Sequence, residues 1–159
     1  MSLEETIRNA CRESMTGTRM GDTERELAEI RDCIRNAGAI IVPNRTGEKV
    51  SAINVVLDEF GLVQATHLQV RTDCCDITRM PALTKALMAL DTVACDLVIA
   101  RGRLGVPGSG SMLVILDRKG RILSAALSPP HILHGKSIAD AVQDEMRAAL
   151  GRVGLEAVR

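Results

Sequence analysis

The sequence has almost no aromatic side chains: Phe60 is its one phenylalanine, and tryptophan and tyrosine are absent. Base stacking needs aromatic faces, so unpaired nucleic acid is a poor partner. Net charge is missing as well, because 20 Lys and Arg balance 20 Asp and Glu. Without a basic excess nothing draws a phosphate backbone to the surface, and no nucleic-acid partner is expected. The longest apolar runs, such as residues 37–42 and 112–116, fall far short of the ~20 residues of a membrane span. The start, MSLEETIRNACRE, has no apolar h-region, so neither membrane nor signal peptide is expected. Five cysteines in irregular positions, with no CxxC, argue against a disulfide framework and for reduced thiols in the cytoplasm.

What is plentiful is Leu, Ile, Val, Ala and Met. At 159 residues the chain is expected to form a single α/β domain over residues 1–159. Such a chain can bury roughly two-thirds of its unfolded surface without metals or disulfides. Ser2 and Glu5 have capping-box spacing and open a helix to about Ser14. Thr23 and Glu26 repeat that pattern before the stripe Leu27, Ile30, Ile34 and Ala37, with Gly38 as the expected stop. A strand over residues 39–42 precedes a helix marked by Val50, Ile53, Val56, Leu57 and Phe60. Residues 65–71 alternate as a half-exposed strand, and Pro81 opens a helix carrying Leu83, Leu87, Met88 and Leu90. An apolar strand over 94–100 is followed by strands 112–117 and 121–127, joined by Arg118-Lys119-Gly120 as a hairpin. A last helix places Ile138, Ala141, Val142, Met146 and Leu150 inward. The order α-α-β-α-β-α-β-β-β-α implies a mixed, partly parallel sheet with helices on both faces.

Three polar segments sit where such a sheet binds ligands. Residues 101–111, RGRLGVPGSGS, combine four glycines with Arg101, Arg103, Ser109 and Ser111. Glycines free backbone N–H groups to face an anion, and arginines supply charged forks. Residues 128–136, SPPHILHGK, hold His131 and His134. Residues 43–49, PNRTGEK, carry Asn44, Arg45, Thr46 and Lys49 between a strand and a helix N-terminus. Asp73 and Asp76, after a strand, are the carboxylates best placed to hold Mg²⁺. Some chemistries are excluded: Gly135-Lys136-Ser137 has Pro130 where a P-loop needs glycine, and GRLGVPGSG lacks dinucleotide-fingerprint spacing. Two histidines without a third ligand make a weak zinc site, and no G-x-S-x-G elbow supports acyl transfer.

RGRLGVPGSGSMLVILD, followed by the hairpin and SPPHILHGKS, resembles a small group of methanogen guanylyltransferases. They attach GMP from GTP to a pyridinol, building the guanylylpyridinol of the [Fe]-hydrogenase cofactor. The resemblance implies a homodimer similar in fold to the inosine triphosphate pyrophosphatase and Maf group, acting with GTP and Mg²⁺. It assigns ligand roles to Arg101, Gly102, Arg103, Gly108, Ser109, Gly110 and Ser111, with His131 and His134 near the acceptor. Two alternatives stand beside it: a nucleoside triphosphate pyrophosphatase, which needs no acceptor, and a non-catalytic nucleotide- or cofactor-binding protein.

Overall fold

The computed structural model describes residues 2–70, 80–105 and 108–159, in two compact units, residues 1–36 and 37–159. In the first unit, α1 (Leu3–Thr16) and α2 (Glu24–Arg35) each begin with the expected capping box. Ser2 Oγ accepts from the Glu5 amide at 3.3 Å while Glu5 accepts from the Ser2 amide at 2.9 Å. Thr23 and Glu26 do the same at 3.2 and 2.9 Å. Each reciprocal pair satisfies two amides that a helix start leaves without partners. Between the helices, Arg19 donates to Glu13, Asp22 and Glu26 at 2.9–3.1 Å. The hydrogen bonds to Glu26 contribute most to holding the Arg19 guanidinium charged. Asn36, rather than Gly38, caps α2.

In the second unit the amides of Gly38 and Ala39 both donate to Asp96 Oδ2, at 2.8 and 2.9 Å. That contact registers the chain for β1 (Ile40–Asn44). There follow α3 (Gly47–Glu59), β2 (Ala65–Gln69), α4 (Pro81–Thr92), β3 (Leu97–Arg103), β4 (Ser111–Asp117), β5 (Ile122–Ser128) and α5 (Ile138–Arg152). The five strands form one sheet in the order β2-β1-β3-β4-β5. β1 is parallel to β2 and β3, and the β3–β4 and β4–β5 pairs are antiparallel. The mixed, partly parallel sheet is therefore as expected.

Side-chain alternation along β3 sorts the helices. Val98 and Ala100 join Ala82, Ala86 and Ala89 of α4 in one apolar cluster with Met112, Val114 and Leu116. Arg101, one residue out of step, reaches α5 on the opposite face. On that face α3 and α5 pack against each other and on the strands. Covered on both sides, β4 is buried along its whole length, which explains its uninterrupted apolar run.

Arg147 of α5 clasps Glu59, the last residue of α3, with two hydrogen bonds of 2.8 and 2.9 Å. The Arg147 hydrogen bonds hold the Glu59 carboxyl below the usual carboxylate range. A carboxyl with a depressed folded-state pKa stabilises the fold above its unfolded pKa, and this contribution fades as pH falls through the folded value. Glu59→Gln is thus expected to flatten the acid limb of a stability-versus-pH curve below about pH 4, while leaving its neutral-to-alkaline shape alone. Urea midpoints across pH 2–8 test this, and an unchanged acid limb refutes it.

Candidate functional site

β1 leads through α3 to β2 on one side, and β2 returns through α4 to β3 on the other. The strand order therefore reverses between β1 and β3, where open α/β sheets place a ligand crevice beyond the carboxyl ends. The sequence opens this crevice. Asn44 O accepts from the Val70 amide at 3.2 Å, so Asn44 faces β2. Successive residues point to opposite sides, so the nitrogen of Pro43 is turned toward β3, with no hydrogen to donate. The β1–β3 ladder indeed comprises only Ile40–Leu97 and Ile41–Val98. The carboxyl halves of the two strands are not paired with each other.

The expected loop over residues 43–49 is shorter than its pattern suggests. Pro43 and Asn44 belong to β1, and Gly47, Glu48 and Lys49 form the first turn of α3. Only Arg45 and Thr46, both exposed, connect them. Asn44 is 4% exposed, and its Oδ1 accepts from the Arg45 amide at 2.9 Å. Thr46 is the N-cap residue of α3 yet makes no side-chain cap hydrogen bond. The helix thus starts at the crevice without the usual side-chain acceptor. Nearby, His67 of β2 bonds Asn44 O through Nε2 at 2.8 Å. A carbonyl only accepts, so Nε2 carries the proton.

The glycine segment also starts later than expected. Arg101, Gly102 and Arg103 continue β3, paired with Leu113, Met112 and Ser111 of β4. The connector is residues 104–110, closed at its base by the Leu104 amide donating to Gly110 O at 3.0 Å; Val106 and Pro107 lie outside the described residues. Gly108 and Gly110 take φ of 90° and 102°, and Ser109 is exposed. A Cβ on Gly110 would meet Ser128 O at 2.4 Å, so this glycine also allows the connector to touch the end of β5.

Arg101 does not project into the loop. Its Nε donates to both carboxylate oxygens of Glu145, at 2.8 and 3.2 Å, and its Nη2 donates to Ser111 Oγ at 2.8 Å. Ser111 Oγ also lies 3.2 Å from Glu145 Oε1 and 3.0 Å from Ser128 Oγ. The Glu145 side chain is 1% exposed and that of Arg101 10%. Arg101 and Ser111, expected as ligand contacts, are thus joined in an internal ion-pair network, and Arg103 is the exposed arginine of the pair.

β5 runs in the same direction as β3, so its carboxyl end reaches the same edge of the sheet. Beyond it, residues 131–134 form one 3₁₀ turn containing both expected histidines. His134 lines a small cavity of about 90 Å³ with Ser128, Pro129, Lys136, Ala141 and Asp144. Lys136 Nζ is paired with Asp144 Oδ2 at 2.7 Å.

Asp73 and Asp76 lie outside the described residues. Among the described residues no cluster of three His, Cys, Asp or Glu side chains could hold a metal. Asp96 is bonded to the amides before β1. Asp117 closes the β4–β5 turn by accepting from Lys119, Arg121 N and Arg121 Nε. Cys11, Cys33 and Cys95 form no disulfide, and burial, then Asp96, pushes the Cys95 thiol up. Cys95 lines an open cavity of about 520 Å³ at the far edge of the sheet. No helix among the described residues is long and apolar enough to cross a membrane.

Glu145, His67 and the buried Lys85 were not among the residues expected to matter. Glu145 alone carried a legible signal, a carboxylate in step with the apolar stripe Ala141, Val142, Met146 and Ala149. A helix rarely buries a charge there without a partner. The family model described as FeGP cofactor biosynthesis protein HcgB, guanylyltransferase, matches residues 3–155.

Proposed function

Because the chain belongs to this HcgB family, and is thereby a guanylyltransferase of FeGP cofactor biosynthesis, we propose that it binds the GTP triphosphate in the crevice between β1 and β3. There it transfers GMP to the hydroxyl of a pyridinol. The observation that carries this reading is the strand reversal at β1–β3, with its ladder cut short and α3 beginning uncapped beside it. Amides of the first turn of α3, with Asn44, Arg45, Thr46 and Lys49, would face the phosphates, since a helix N-terminus favours anions. Arg103 and the connector around Gly108, Ser109 and Gly110 would close over them from β3. The acceptor would enter from the β5 side, near His131 and His134.

The pyridinol oxygen attacks the α-phosphorus in line, the bond to the bridging oxygen breaks, and pyrophosphate leaves with the displaced charge. Positioning and charge neutralisation supply most of the acceleration. A hydroxypyridine ionises more readily than an alcohol, so a neutral histidine suffices to take its proton. The described residues alone do not make a Mg²⁺ site; the ion would ride on the triphosphate, with Asp73 and Asp76 as its proposed carboxylates. A cytoplasmic homodimer is part of the same reading. The edge strand β5, with Ile122 and Leu127 exposed, supports the dimer.

Thermal unfolding with Mg²⁺ and either GTP or ATP tests the nucleotide site. GTP at 100 times its dissociation constant is expected to add about 2.7 kcal/mol to the folded state, and ATP much less. Arg103→Ala is expected to weaken GTP binding by about 1.5–3 kcal/mol. Pyrophosphate should appear only when a pyridinol is added. Release without an acceptor would point to a pyrophosphatase, and unchanged GTP affinity in Arg103→Ala would remove Arg103 from the site.

A further inference from the structure

The buried network fixes the direction of a hydrogen bond at the wall of the small cavity. A serine hydroxyl has one proton and two acceptor positions. Ser111 Oγ accepts from Arg101 Nη2 at 2.8 Å, because a guanidinium has only donors. Toward Glu145 Oε1, 3.2 Å away, Ser111 must donate, because a carboxylate facing an arginine only accepts. Its proton is then spent, so in the 3.0 Å contact between Ser111 Oγ and Ser128 Oγ the donor is Ser128. Ser128 in turn has no proton left. Toward the cavity that it lines with His134, Lys136 and Asp144, its hydroxyl offers lone pairs alone.

We propose that Ser128 is a specificity residue for the acceptor substrate: a hydroxyl held by Glu145 through Ser111 as an acceptor only, which receives a hydrogen bond from an O–H or ring N–H of a hydroxypyridine. The inference rests on the functional reading above for the identity of the acceptor. Glu145, 1% exposed, is a positioning residue here, acting through Ser111. A cavity of about 90 Å³ equals about three water volumes, so it takes the donor-bearing edge of a ring while the rest of the ring lies outside it. An ether or N-alkyl group in that place would set lone pairs or a methyl against the lone pairs of Ser128.

The test is direct binding to the full chain, followed by NMR, of 2-hydroxypyridine against 2-methoxypyridine, which lacks the donor. The intact protein is expected to prefer the hydroxypyridine about 5- to 10-fold, the ratio of one net hydrogen bond. Ser128→Ala is expected to erase the preference. Ser111→Ala, which frees the Ser128 proton to rotate into the cavity, is expected to reduce it. A merely structural serine would shift both affinities together and keep their ratio. The proposal is overturned by an unchanged ratio in Ser128→Ala, by no preference in the intact protein, or by no binding of either probe. Stabilisation by GTP, measured on the same samples, reports the nucleotide site separately, so failure there is distinguishable from failure here.

Discussion

Glu145→Ala is expected to destabilise the fold by about 3–5 kcal/mol, the usual consequence of removing one partner of a buried ion pair. Arg101 would keep its charge with its side chain only 10% exposed, and its Nε would lose both carboxylate contacts. Ser111 would lose its acceptor as well. The network joins α5 to β3, β4 and β5, so its loss falls where the helix is anchored to the sheet. A second variant separates the missing partner from the missing volume. Replacing both members, Arg101→Met with Glu145→Leu, leaves no unpaired charge and is expected to recover most of the loss, because buried pairs contribute little net stability. Urea midpoints of the single and double variants decide the matter. If Glu145→Ala costs less than about 1 kcal/mol, the carboxylate is not confined as described. The double variant also has a functional consequence: a stable fold without the carboxylate loses the fixed polarity of Ser128, so stability and acceptor preference come apart.

The order of elements was legible because its signals are local. Both capping boxes sit within four residues, and the apolar stripes of α3 to α5 repeat every three or four. Glycine-rich residues 101–111 read as a loop for an equally local reason. Their extension into β3 depends on pairing with β4, and Arg101 is held by a side chain 44 residues away. Neither partner is visible in a short window. The same holds for β1: its extension to Asn44 depends on register with β2, while the apolar pattern stops at Val42 and Pro43 reads as the start of a loop. The polar segments do converge on one edge, because β1, β2, β3 and β5 all run toward it. What the pattern could not show is which arginine faces out. Two arginines with one residue between them share a face in a strand, and only Glu145 distinguishes Arg101 from Arg103.

Gly102 is where the ligand-cradle expectation and the structure make opposite predictions. On the face of β3 toward α4 the side chains shrink along the strand, from Val98 to Ala100 to Gly102, as the first turn of α4 comes closer. A Cβ on Gly102 would stand 2.7 Å from the Ala82 amide nitrogen and 3.1 Å from the Pro81 carbonyl carbon. Both are backbone atoms at the start of a helix, so no side-chain rotation relieves the clash. The φ of Gly102 is not positive, so the constraint is space rather than backbone strain. Gly102→Ala is expected to cost about 1–3 kcal/mol, as overpacking does, and Gly102→Val more. Amide exchange should quicken through the first turns of α4, where Thr84 N bonds Met80 O at 3.1 Å, before it quickens elsewhere. GTP affinity of the folded fraction should change little. A glycine whose amide contacts a phosphate would behave the other way, with near-normal stability and a large loss of nucleotide binding. Measuring both quantities on Gly102→Ala therefore decides whether the missing Cβ makes room for α4 or for the ligand.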